Sequence, residues 1–255
     1  MFKNFVTAMH FLTIFTVSKK HEVEEGDLAK SLFYFPFVGF LIGVILVYAD
    51  KGLQWFFPDT ISNAFLLIIS VVLTRALHID GLADTLDGLM GGRDKASRLE
   101  IMRDSRIGTA GVLGILFLLL MKYLSLNNLF NDYKAAALLT APVFGRWSQL
   151  FMMFRANYGR EDGMGRAFVG HMRAGGLAAA TAITLGLSAY VVVNEDLKTW
   201  FLALGIAFCV LLFTLLCRRY LIRKLGGVTG DAIGAVSELN EALTLLLFVF
   251  FLSGR

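Results

Sequence analysis

The chain has 255 residues, of which 56% are hydrophobic and 17% charged, with a mean hydropathy of +0.66. That is too apolar and too charge-poor for an ordinary soluble domain, and it indicates an integral membrane protein. A net charge of +4 could suggest nucleic acid, but in a membrane protein the distribution of basic residues over the loops matters more than their sum, so no nucleic-acid partner is expected.

Residues 5–17 (FVTAMHFLTIFTV) are too short for a crossing and are predicted to lie in the interface or to re-enter. Apolar stretches follow at 31–49, 61–77, 108–126, 135–154, 176–193, 200–217 and 240–253, most of them near the ~20 residues that a helix needs to cross a bilayer. The expected fold is an all-α, polytopic membrane helix bundle of about seven transmembrane helices plus the N-terminal segment. It is expected to form one domain over 1–255, because no repeat, low-complexity tract or Pro/Ser-rich linker divides the chain. The N-terminus lacks the basic region and small-residue site of a cleavable signal peptide. Pro36 and Pro142 fall near the mouth of a span or inside one, where neighbouring helices can absorb a kink. Cys209 and Cys217 share one apolar stretch and read as packing residues, with neither a disulfide framework nor a zinc site indicated.

These spans sort the loops into two sets. Loops 18–30, 78–107, 155–175 and 218–239 are rich in Lys and Arg, whereas 50–60, 127–134, 194–199 and the C-terminal tail hold Lys51, Lys134, Lys198 and Arg255. The positive-inside rule places the first set in the cytoplasm, with the chain in a membrane among its lipids. All the unusual motifs lie on that side.

In HIDGLADTLDGL, residues 78–89, a helix running directly on from the apolar span would carry Asp80, Asp84 and Asp87 within about 60° of one another, because i, i+4 and i+7 share a face. Three like charges on one stripe repel, and a divalent cation, Mg²⁺ or Mn²⁺, is a compact counter-charge. The competing explanation is a solvated acidic face paired with nearby arginines. The depth of the cluster beside an apolar span favours metal. Gly81 and Gly88 form a neighbouring strip on which a backbone or a substrate can approach closely. His78 could be a base, a ligand or an interfacial side chain.

Downstream, Glu100 and Asp104 are spaced to face the same way on a helix and could complete an oxygen cage or hold a second metal. Arg93, Arg103 and Arg106 suit phosphate oxygens. Arg146 lies within an apolar span and is a candidate pocket residue, with snorkelling or pairing to the backbone as the alternative. In GGVTGDAIGAVSELNE, residues 226–241, Asp231 and Glu238 would share a helical face behind a flexible glycine entry whose N–H groups could accept an anion.

DTLDG at 84–88 resembles the opening of the CDP-alcohol phosphotransferase motif, but Gly91 and Gly92 stand where that family continues with Ala-Arg. A fuller resemblance is to the cobalamin synthase (adenosylcobinamide-GDP ribazoletransferase) family. It is carried by YFPFVG at 34–39, RALHIDGLADTLDGLMGG at 75–92, EIMRDSRIGTAG at 100–111 and GGVTGDAIGA at 226–235 with Glu238 following. It implies transfer of the adenosylcobinamide-phosphate group of adenosylcobinamide-GDP to the 5′-hydroxyl of α-ribazole, or to α-ribazole 5′-phosphate, with release of GMP, by an enzyme of the bacterial inner membrane. On that implication Asp80, Asp84 and Asp87 bind metal, completed by Glu100 or Asp104. Asp84, Asp87 and His78 are the catalytic candidates, and Arg93, Arg103, Arg106, Arg146, Asp231 and Glu238 would bind substrate. A cation-coupled transporter would instead place its acids near mid-bilayer on broken helices, often with internal repeats. The oligomeric state stays open.

Overall fold

The computed structural model describes residues 2–15, 25–129, 131–193 and 200–252, and over these it is helical, with no strand. The helices are α1 (Phe2–Leu12), α2 (Glu25–Ser31), α3 (Phe35–Leu53), α4 (Asp59–Leu73), α5 (Leu77–Gly91), α6 (Lys95–Ile101), α7 (Thr109–Asn127), α8 (Asn131–Met153), α9 (Ala174–Val193), α10 (Trp200–Leu225) and α11 (Gly230–Leu252). Short 3₁₀ turns lie at Leu32–Tyr34 and Met164–Ala167.

Among the described residues five helical segments are long and apolar enough to cross a membrane: Asp27–Leu53, Thr109–Asn127, Ala174–Val191, Phe201–Leu225 and Gly230–Leu252. The expected count of seven is not reached by that measure, for two reasons. Helix α8 has the length, about 34 Å for its 23 residues, but carries Lys134, Arg146, Ser148 and Gln149, all buried. It is the central helix, packed between α3 and α11, so its polar groups face protein and not lipid. At its contact with α3, a Cβ on Gly39 would stand 2.5 Å from the Pro142 carbonyl oxygen, so this crossing requires glycine.

The second reason is a correction at α4. The helix does not run on into the acidic motif. It breaks at Thr74–Ala76 and restarts as α5 at 87°. Arg75 and Ala76 both have positive φ, 54° and 55°, a conformation that disfavours residues bearing a Cβ by roughly 1–2 kcal/mol each. The break is held from outside: Arg75 Nη2 donates to the His10 carbonyl at 2.6 Å, and Ile14 N donates to the Leu73 carbonyl at 2.8 Å. Helix α1, about 16 Å long, is therefore too short to span, and it is tied to the break with Val6, Ala8 and Leu12 buried. Residues 16 and 17 of the predicted N-terminal segment lie outside the described residues.

Candidate active site

The crossing of α5 and α11 builds the site. A Cβ on Gly81 would lie 2.7 Å from the Asp231 carbonyl oxygen, and one on Gly234 would lie 3.1 Å from His78 Cα. The backbones thus touch where a larger residue would force them apart, as the glycine strip of the motif predicts. The contact sets Asp231 beside the α5 stripe, and Asp84 feels Asp80, Asp231 and Asp87 as like charges, opposed by Arg160. Arg160 Nη2 is 2.7 Å from Asp231 Oδ2.

Asp87 is placed by another device. Its Oδ2 accepts from Gly108 N at 2.7 Å and its Oδ1 from Gly111 N at 2.8 Å, so it satisfies N–H groups left open at the start of α7. A carboxylate has about four lone-pair sites, so acceptor capacity remains.

Arg160 reaches the rim because the segment after α8 is stitched to the segment before α11. Tyr158 and Val228 form an isolated parallel bridge, with Gly159 N donating to the Val228 carbonyl at 2.8 Å and Val228 N to the Asn157 carbonyl at 3.0 Å. Arg98 Nη1 donates to the Lys224 carbonyl at 3.3 Å and Arg218 Nη2 to the Phe154 carbonyl at 2.8 Å. The loops 78–107, 155–175 and 218–239, sorted to one side by their basic residues, therefore meet in one place.

Two cavities open at this junction. One, of about 380 Å³, is lined by His78, Asp80, Gln149 and Asp231 together with Phe11, Phe35, Met153 and Phe168. The second, of about 810 Å³, is lined by Lys95, Glu100, Arg103, Glu161 and Asp162. Tyr158 and Arg160 line both and form the partition. Burial raises the pKa of the Tyr158 phenol, which keeps it a neutral hydrogen-bonding group.

The cobalamin-5-phosphate synthase family model matches residues 4–249. The chain belongs to that family. It is 39% identical over 248 residues to the adenosylcobinamide-GDP ribazoletransferase of Thermoanaerobacter sp. (strain X514), covering 97% of both chains. To the protein of the same name from Geotalea daltonii it is 38% identical over 251 residues, covering 98% of both. To that of Clostridium botulinum (strain Langeland) it is 34% identical over 246 residues, covering 96% of this chain and 97% of the relative. No solved structure matches.

In this member of the cobalamin-5-phosphate synthase family the sequence candidates separate into groups. Asp80, Asp84, Asp87, Asp231 and His78 gather around the α5–α11 contact. His78 is buried, with Nε2 2.9 Å from the Gln149 amide nitrogen, and its Nδ1 has no hydrogen-bond partner among the described residues. Glu100 and Asp104 do not share a helical face, because α6 ends at Ile101. Glu100 lines the larger cavity. Asp104 accepts from Arg106 Nη2 at 2.6 Å, and this hydrogen bonding holds its carboxyl well below the usual range, at about 2. Arg103 lines the larger cavity, paired with Asp162, while Arg93 and Arg106 are exposed.

Arg146 and Glu238 line neither cavity. Arg146 is 1% exposed and pairs with Glu241, and Glu238 Oε2 accepts from Lys122 Nζ at 2.6 Å. Asp231 and Glu238 do follow one another along a face of α11, but seven residues separate them by about 10 Å, which puts Glu238 deep in the bundle.

Among the described residues no group of three or more His, Cys, Asp or Glu side chains is set to hold a metal. The donor chemistry nonetheless fits a hard cation: Asp80, Asp84 and Asp231 supply carboxylate oxygens from two helices in backbone contact, with acidic charge in excess of the opposing Arg160.

Sequence reasoning missed Arg160, Tyr158, Gln149 and Lys122. Lys122 carried a usable signal, since it is an ionisable residue in an apolar stretch. Arg160 and Tyr158 carried none, because they reach the site through loop pairing. The phenylalanine wall draws on α1, α3 and the 3₁₀ region before α9, and no local pattern joins those.

Proposed function

We propose that the chain transfers the adenosylcobinamide-phosphate group of adenosylcobinamide-GDP to the 5′-hydroxyl of α-ribazole, or to α-ribazole 5′-phosphate, and releases GMP. Among the features of the site, the carboxylates Asp80 and Asp231 in one cavity, beside a second cavity that carries Lys95, Arg103 and Arg160, support this most directly. Full-length similarity to ribazoletransferases gives it its substrates. The hydroxyl attacks the phosphorus that bears the cobinamide, and the bond to the bridging oxygen of GMP breaks.

Lys95, Arg103 and Arg160 hold the diphosphate by charge-assisted hydrogen bonds, with Arg93 and Arg106 at the outer edge. Asp80, Asp84 and Asp231, with Asp87 on the same stripe of α5, would hold Mg²⁺ or Mn²⁺, which when bound would neutralise charge on the diphosphate and on the departing GMP. A carboxylate of the rim or His78 accepts the proton of the attacking hydroxyl. Tyr158 and Arg160 separate acceptor from donor, so the two meet at the rim in an aligned pose.

Protein purified in lipid nanodiscs is expected to release GMP from adenosylcobinamide-GDP when α-ribazole is added. Chelation should stop the reaction, and Mg²⁺ or Mn²⁺ should restore it. No GMP release from folded protein would reject the transferase, and turnover unaffected by chelation would reject the metal. The site is proposed to face the cytoplasm. With Cys209 and Cys217 replaced, a cysteine at Ser97 or Glu161 should react with an impermeant thiol reagent only after the membrane is opened, and one at Asn128 from outside. Labelling of Ser97→Cys in intact cells would reverse the orientation.

A further inference from the structure

The smaller cavity is lined by two unlike sets of residues. Phe11, Phe35 and Phe168 come from three elements far apart in the chain. Their rings lie 4.6 Å (Phe11–Phe168), 6.0 Å (Phe35–Phe168) and 6.1 Å (Phe11–Phe35) apart between centroids. His78, Asp80 and Asp231 line the same cavity. We infer that the phenylalanine wall is the subsite for the planar base of the acceptor nucleoside, and that it directs the sugar hydroxyl toward Asp80 and Asp231. This rests on the transferase activity proposed above and adds which end of the site takes which substrate, and by what chemistry.

Three observations support the assignment. A volume of about 380 Å³ lies within the range of small-ligand pockets; it suits a nucleoside and is too small for a corrin ring with its side chains. Aromatic side chains offer faces against which a flat heterocycle packs in offset or edge-on geometry. The edge chemistry then separates the two bases in the reaction. Guanine carries donors and acceptors on its edges, and against three phenylalanines these would lose water without replacement, which weakens binding for each group left unpaired. The outer edge of the α-ribazole base, an alkylated benzimidazole, is hydrocarbon and leaves nothing unpaired. GMP is therefore assigned to the cavity of Lys95 and Arg103, and the acceptor base to the phenylalanines.

Binding can be measured without turnover, by calorimetric titration of α-ribazole, and separately of GMP, into the full-length protein in nanodiscs. Phe168→Ala and Phe11→Ala should each weaken α-ribazole about tenfold and leave GMP binding unchanged. Phe168→Leu, which keeps bulk and removes the ring, should fall between. In the wild-type protein, a riboside with a hydroxyl in place of one ring methyl should bind about tenfold more weakly than α-ribazole, a comparison that does not depend on any variant folding. Unchanged α-ribazole affinity in folded variants, equal affinity for the hydroxylated riboside, or a loss that falls on GMP would each overturn the assignment. If the wild-type protein transfers normally while these binding results go against it, only the subsite is wrong. If it transfers nothing, the proposed activity itself fails.

Discussion

Two charged regions of this protein share helix α11 and follow opposite rules. In the interior, Lys122 of α7, Arg146 of α8, and Glu238 and Glu241 of α11 form a closed group of two cations and two anions. Lys122 Nζ is 2.6 Å from Glu238 and 2.7 Å from Glu241, and Arg146 is bound to Glu241 and, at 3.3 Å, to Ser237. Each charge is desolvated and each is matched. At the rim, Asp80, Asp84 and Asp231 face Arg160, so acids outnumber bases beside a cavity. Matched charges in a dry interior fix how helices pack. An excess of one sign at an opening leaves attraction for a ligand of the other sign. Both groups look alike in sequence, as ionisable residues among apolar ones, and the balance of partners distinguishes them.

The sharpest way to break this comparison is to unbalance the interior. Lys122→Ala leaves two buried carboxylates on one arginine and should cost about 3–5 kcal/mol of stability, read from unfolding in detergent. The double variant Lys122→Met/Glu238→Leu, which removes one cation and one anion, should recover most of it. A single variant as stable as the wild type would show that the group does not hold the bundle together.

At the rim the expectation reverses. Asp84→Asn should lower the transfer rate by roughly 10²–10³-fold, the size of effect seen when a preorganised charge is removed from a reaction centre, with no loss in unfolding midpoint. Retained turnover across a Mg²⁺ titration would remove Asp84 from the site. Gly81→Ala probes the contact that brings the two sides of the rim together. Its Cβ would meet the Asp231 carbonyl oxygen at 2.7 Å, so about 1–3 kcal/mol of stability and most of the activity should be lost. Gly186→Ala, with nothing within 4 Å of the added carbon, should change neither. Equal effects at the two glycines would mean that the helix contact does not matter.

The smallest effects belong to the outer arginines. Arg103→Ala should raise KM for the GDP-activated substrate about tenfold, as expected for one charge-assisted bond, and leave KM for the acceptor unchanged. Arg106→Ala, exposed and turned onto Asp104, should change it about twofold or less. The reverse order would exchange their roles.

Residue order along the chain was enough to indicate a helical membrane protein, the common side of three loops and the grouping of Asp80, Asp84 and Asp87, because hydrophobicity, positive charge and helical spacing are local or summed properties. The family resemblance was legible for the same reason, resting on contiguous motifs. The break between α4 and α5 was not legible. Thr74, Arg75 and Ala76 are no helix breakers, and the bend is tied to a segment far away in sequence, where the His10 carbonyl takes a hydrogen bond from Arg75 and Ile14 N donates to the Leu73 carbonyl. Nor could spacing tell that Arg146 and Glu238 stand in the interior while Asp231 stands at the rim, since depth along a helix becomes a chemical environment only when neighbouring helices are packed around it. Arg160, Tyr158 and the three phenylalanines joined the site through contacts between distant segments, and such contacts are decided by which helices can approach closely, here at Gly81 and Gly234, a matter of packing in three dimensions.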